Sequence, residues 1–164
     1  MRPLFMSLIA SLLKPDYVLL DIQASSKEAL FEEIAQRLAS SLNLAPKVIT
    51  KSLTDREKIG STGLGQGVAI PHGRIKQLQH AAGVFVRTRE PVPFDAPDHE
   101  PVRLLFVLLV PDQATDLHLQ ILSELAQLFS DRVRRERLLQ ETNADYIFQL
   151  LTAPHGPDHR TTTV

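Results

Sequence analysis

The chain has 164 residues, a formal net charge of -1, and 43% hydrophobic against 23% charged residues. That length fits one domain with a self-sufficient core, and the balance excludes both a disordered chain and the basic excess of a nucleic-acid binder. Zero cysteines exclude disulfides and thiolate chemistry and fit a reducing compartment, so any metal would need His, Asp or Glu ligands.

The first residues, "MRPLFMSLIASLLKPD", set Arg2 ahead of the apolar run Leu4 to Leu13 and so imitate a signal peptide. No small-x-small cleavage site precedes an independent start of structure. Ile9, Leu12 and Leu13 instead have helical spacing, and Lys14-Pro15-Asp16 reads as a turn. This predicts a short packed helix in a cytoplasmic protein, with residues 1–6 a loose lead-in to a single domain over 7–152.

"YVLLDI" (Tyr17 to Ile22) reads as a strand. Ser25 and Glu28 form a capping box for a helix to about Ser41, with Leu30, Phe31, Ile34, Ala35 and Leu38 as its apolar stripe. Pro46 suits the first turn of a second helix, which faces Val48, Ile49 and Leu53 inward and closes at Gly60. Short and long strands follow in "VAI" (Val68 to Ile70) and "AAGVFVRT" (Ala81 to Thr88). The unbroken apolar run "VRLLFVLLV" (Val102 to Val110) predicts a strand buried on both faces, which requires helices on either side of a sheet. Asp116 is expected to cap a helix from Leu117 to Phe129, Asp131 a charged helix to Leu139, and Asn143 a last one to Leu151. Residues 153–164 have no apolar period and are expected to be a disordered tail. The order strand, two helices, three strands, three helices is that of an α/β fold, a three-layer α/β/α sandwich with a mixed β-sheet.

Five of the seven glycines crowd into Gly60 to Arg74, "GSTGLGQGVAIPHGR". A Walker A loop would need Lys where Gln66 stands, and a dinucleotide fingerprint would follow a strand and open a helix, whereas this stretch does the reverse. Pro71 and Gly73 confine His72 to a tight corner. A lone histidine near an apolar strand is more often structural than catalytic. His118 shares a stripe with Leu122, Leu125 and Phe129, so it is either a hydrogen-bonded core residue or a partner of His72. A metal hydrolase built on His72, His118 and Asp112 or Asp116 is a competing reading, but neither histidine belongs to an HxH or HxxxH pair. Arg56 arrives near the end of the second helix, at the mouth of the stretch, where a solvated cation is also favoured.

"GSTGLGQGVAIPHGR" resembles the active-site signature of the fructose/mannitol/nitrogen-regulatory class of enzyme IIA domains of the bacterial phosphoenolpyruvate-dependent phosphotransferase system. The likeness runs from about Ser7 to Leu151 and includes "LLKPDYVLLDIQASSKEALFEEIA", "LTDREKIGSTGLG" and "DLHLQILSELAQLFSD". It implies a mixed sheet between helical layers, a phosphorylated histidine at His72 (tele-phosphohistidine, on Nε2), a second active-site histidine at His118 and an active-site arginine at Arg56. It implies neither cofactor nor metal. The phosphoryl donor would be a histidine phosphocarrier protein, and regulated target proteins would read the phosphorylation state, with no nucleic acid and no membrane insertion. Within the family the chain most resembles the free-standing nitrogen-regulatory branch; the alternative is a sugar-specific component that passes phosphate to a IIB domain. On this reading the glycines clear space for the donor's histidine and expose backbone N–H groups to the phosphoryl oxygens. Arg74 is then a rim contact or a surface charge.

Overall fold

Every residue of Val102–Val110 except Arg103 is buried, and the rest of the chain is arranged about this strand. The computed structural model describes residues 8–113 and 115–153; the expected lead-in at 1–6 and, beyond Ala153, the expected tail lie outside the described residues. In chain order the elements are α1 (Leu8–Leu12), β1 (Leu13–Ile22), α2 (Lys27–Leu42), α3 (Pro46–Ile59), β2 (Gly63–Gly65), β3 (Val68–Ala69), β4 (His72–Arg74), β5 (Ala82–Val92), β6 (Val102–Val110), α4 (Thr115–Phe129), α5 (Arg132–Gln140) and α6 (Ala144–Thr152).

The six strands form one mixed sheet in the order β1-β5-β6-β3-β2, with β4 also on β6. β5 runs antiparallel to β6, while β3 and β4 run parallel to it. Helices α2 and α3 pack on each other, and α3 rests on β4; α1, α4, α5 and α6 form the second helical group, against β1, β5 and β6. Both faces of β6 are therefore covered, as its apolar run requires. Phe85, Phe106, Ile34 and Leu53 are among the fully buried side chains of the core between these layers. Among the described residues, no helix is long and apolar enough to cross a membrane.

The three-layer fold class agrees with the sequence reading, whereas four local expectations are corrected. First, β2 and β4 lie unforeseen inside the glycine-rich stretch, and His72 heads β4. Each is only three residues long, too short to show a period of two. Second, Lys14-Pro15-Asp16 is no turn but part of β1, at a break in register between Leu13 and Val18. β1 pairs only with β5, and an edge strand tolerates a proline that cannot donate to a ladder. Third, α4 begins at Thr115, so Asp116 lies within its first turn instead of capping it. Fourth, the N-cap of α2 is Ser26, whose hydroxyl accepts from Ala29 N at 3.1 Å. Asp131 and Asn143 cap α5 and α6 as expected.

The cap gives a direct test by chemical denaturation. Ser26→Ala lowers unfolding free energy by about 1 kcal/mol. Ser25→Ala, at an exposed position ahead of the cap, leaves it near the unaltered value; equal losses would return the cap to Ser25.

Candidate active site

Along β6, β3 and β4 keep one register: Val68 faces Leu104, Ala69 faces Leu105, and His72 faces Leu108. They are one strand interrupted at Ile70-Pro71, where the proline has no N–H for the ladder. Pro71 still accepts from Leu108 N at 2.9 Å, and Ile70 N donates to Thr62 O at 3.0 Å. The Ile70 carbonyl turns instead to the next ring, 2.8 Å from His72 Nδ1. A carbonyl can only accept, so Nδ1 carries the proton and the neutral ring keeps its lone pair on Nε2.

That lone pair faces α3. Arg56 Nε donates to His72 Nε2 at 3.2 Å, and Arg56 Nη1 donates to Gly60 O at 2.8 Å. The guanidinium thus satisfies a carbonyl at the end of its own helix while it reaches the imidazole, so the helix-end and site readings of Arg56 hold together. Register delivers the third residue. β4 lies beside the last residues of β6, the chain turns through Asp112, and the first turn of α4 brings His118 back over His72. The two rings meet edge to face, with centroids 5.1 Å apart. Arg56, His72, Gly73, Arg74 and His118 line one cleft of ≈ 420 Å³, together with Ser52, Asp55 and Ile59. It opens at the carboxyl ends of the parallel strands, where open α/β sheets place their ligands.

The electrostatics favour neutral rings. Burial is the main influence holding His72 below the usual histidine range, and Arg56 and Arg74 add to it; the Ile70 bond and Glu57 act against it. His118 is lowered chiefly by burial, then by His72, Arg74 and Arg56. Its Nε2 is buried and finds no hydrogen-bond partner among the described residues. An orphaned buried nitrogen costs about 1–3 kcal/mol, so the hydrogen-bonded core role is not what holds His118 here.

The family model described as "Phosphoenolpyruvate-dependent sugar phosphotransferase system, EIIA 2" matches residues 11–153. The chain belongs to that family. A nitrogen regulatory protein of Escherichia coli is 40% identical over 84% of this chain and 85% of its own length. The solved nitrogen regulatory protein IIA-Ntr from Neisseria meningitidis is 49% identical over 89% of this chain and all of its own, with a TM-score of 0.85. The mannitol IIA protein of Escherichia coli, also solved in complex with phosphorylated IIB, stands further off: 25% identity, 85% of this chain and 98% of that one, and a TM-score of 0.73.

The signature stretch of this family member has an unexpected division of labour. Of its five glycines only Gly73 lines the cleft. Gly65 and Gly67 have φ of 91° and 77°, and Gln66 and Gly67 make the two-residue turn of the β2–β3 hairpin, whose Gln66 N–H donates to Asp98 Oδ2 at 2.9 Å. Gly63 lies so close to Ala96 that a Cβ would stand 2.7 Å from the Ala96 Cβ. These glycines build the hairpin and are not part of the clearing around His72. Asp112 offers Arg74 its backbone carbonyl, and among the described residues no three His, Asp or Glu side chains gather as metal ligands.

Sequence reasoning missed the buried support at the end of α3. Glu57 accepts from Thr62 N at 3.0 Å, from Thr62 Oγ1 at 2.7 Å and from Lys27 Nζ at 3.1 Å, which ties α2, α3 and the start of β2 together. Its only signal was an acidic residue on the inward side of a helix.

The tautomer and the sign of the shift are testable by nitrogen NMR of the imidazoles. His72 should titrate below about 6.5, its Nδ1 protonated in the neutral ring. Arg56→Ala removes a cation and opens the ring to water, so the midpoint should rise from the unaltered protein's value. A midpoint at or above that of a free histidine, or Nε2 protonation in the neutral ring, would contradict this geometry.

Proposed function

We propose that this protein is a phosphohistidine phosphocarrier and regulatory protein of the nitrogen-regulatory branch, acting in the cytoplasm as a single domain over 7–152. A histidine phosphocarrier protein is the phosphoryl donor, and His72 Nε2 is the acceptor. The observation that carries the reading is the pre-set tautomer: an unprotonated Nε2 that meets Arg56 in a cleft also lined by Arg74 and His118.

In the step, the Nε2 lone pair forms the new P–N bond as the donor's P–N bond breaks, and that electron pair returns to the donor's ring. The proton stays on His72 Nδ1, hydrogen-bonded to the Ile70 carbonyl, so the acceptor needs no general base. Transfer of this kind has a loose transition state, and the protein contributes position and charge. Arg56 leaves Nε2 and turns onto the phosphoryl oxygens, where a charged hydrogen bond is worth about 1.5–3 kcal/mol. His118, with its Nε2 unsatisfied, becomes a donor to the same group once protonated or in the Nε2–H tautomer. The phosphoryl group adds roughly -1.5 to -2 charge at the cleft, enough to alter any interface built over it, and regulated targets would read that change.

Higher identity to the nitrogen regulatory protein than to the mannitol protein supports the nitrogen branch. The shared fold with a mannitol IIA solved with phosphorylated IIB favours the second reading, a sugar-specific component that passes phosphate to IIB.

With phosphoenolpyruvate, enzyme I and carrier protein, the chain should take up an acid-labile phosphoryl label that His72→Ala abolishes. Nitrogen-branch donors should label it faster than sugar-branch donors. Equal labelling of His72→Ala would sink the phosphocarrier reading, and faster labelling by the sugar branch would select the second one. Arg56→Ala, still folded, should slow transfer by about tenfold or more, the rate equivalent of one charged hydrogen bond in the transition state.

A further inference from the structure

We propose that Ser52 is a positioning residue of this site: its hydroxyl, bonded across the bare Cα of Gly73 to the Arg74 carbonyl, sets the approach of Arg56 to His72. Nothing in the motif draws attention to a serine four residues ahead of the arginine. The geometry does. Ser52 Oγ donates to Arg74 O at 2.9 Å, and Ser52, Gly73 and Arg56 line the same cleft. A Cβ built on Gly73 would collide with the Ser52 hydroxyl and stand 3.0 Å from the Ser52 backbone carbon and oxygen. Backbone of α3 and backbone of β4 therefore touch at this point, and the hydroxyl fastens the touching pair.

Ser52 and Arg56 are four residues apart on α3, one above the other on one face. A helix moves as a rod over one turn, so the separation of α3 from β4 at Ser52 is passed on to Arg56, about 6 Å further along the axis. The 3.2 Å bond from Arg56 Nε to His72 Nε2 has no other fastening between α3 and β4 among the hydrogen bonds of the described residues. The effect reaches a third element through Arg74, whose carbonyl takes the Ser52 hydroxyl while its Nη1 donates to Asp112 O at 2.7 Å, in the turn before α4. One hydroxyl thus holds the residue that ties the arginine's helix, the nucleophile's strand and the approach to His118.

Ser52 is only half-buried, and alanine is the better helix former, so Ser52→Ala should fold. Its role concerns position, and two measurements separate it from plain stabilisation. In single-turnover transfer from phosphorylated carrier protein, Ser52→Ala should lower the maximal rate by about tenfold at unchanged half-saturation, since small displacements of positioned groups are costly. In an Arg56→Ala background the same change should cost nothing further, because the group it positions is gone. Separately, nitrogen NMR of the unphosphorylated protein should show the His72 Nε2 signal of Ser52→Ala moved toward that of Arg56→Ala. The rate arm rests on the phosphocarrier reading, whereas the NMR arm needs no phosphoryl transfer. An unaltered protein that accepts no label defeats that reading alone, and the NMR result then decides about Ser52. An unshifted His72 signal, or equal fold losses in both backgrounds, overturns the proposal.

Discussion

Pro71 has no N–H to give to β6, and the chemistry of the site depends on what the strand does at that point. Had residue 71 been an ordinary donor, β3 and β4 would read as one continuous strand, their register along β6 being already shared. On the strand side turned away from β6, where Ile70 N pairs with Thr62 O, the Ile70 carbonyl is left to His72 Nδ1, and a carbonyl is an acceptor under all conditions. The proton is thereby assigned to Nδ1, so Nε2 is left as the basic atom whichever way the ring's neighbours are charged. A backbone feature two residues away thus selects the basic ring atom, the proposed nucleophile, with no carboxylate involved.

The surroundings then have to keep that atom both unprotonated and accessible, and these demands pull apart. Burial and the arginines Arg56 and Arg74 oppose protonation of His72. Full burial would also exclude a protein-sized donor, and His72 remains half-buried at the mouth of a cleft. The compromise places rigidity around the ring instead of over it. Below the cleft, Glu57 fixes the end of α3 through Thr62 and Lys27, and at its side Gly73 lets α3 approach β4 to backbone contact. Neither device touches Nε2.

Much of the fold was legible because burial writes long patterns. The apolar run of β6, the stripe of α2 and the caps Asp131 and Asn143 all correspond to elements of the expected kind. What was not legible is short or relational. β2 and β4 are too brief for periodicity, and Ser25 and Ser26 both offer a capping hydroxyl, a choice made by the backbone angles of Ser26. At the site, Arg56, His72 and His118 were named from sequence and lie within one cleft, although a motif carries no distances. The five glycines were read together because they are adjacent in sequence. In space they divide: Gly65 and Gly67 meet the positive φ of a hairpin turn, while Gly73 meets a steric limit imposed by a helix from earlier in the chain.

The same charges have opposite consequences before and after phosphorylation, and this gives the proposed cycle its direction. While His72 is free, burial first, and then His72, Arg74 and Arg56, disfavour a positive charge on His118, whose buried Nε2 is unsatisfied among the described residues. A phosphoryl group on Nε2 would bring roughly -1.5 to -2 charge into this small space. The arginines would then face an anion instead of an imidazolium, and the unsatisfied nitrogen of His118 would have an acceptor within reach. The free state thus retains an unsatisfied nitrogen that the proposed phosphorylated state would satisfy, and donation onward would then require a partner able to replace those contacts. In the free state Arg56 also holds the carbonyl of Gly60, an exposed residue at the end of α3. If the guanidinium turned to the phosphoryl oxygens as proposed, that carbonyl would be released. The charge at the nucleophile and the geometry of the adjoining surface would therefore change together, which is the coupling a regulatory phosphocarrier needs.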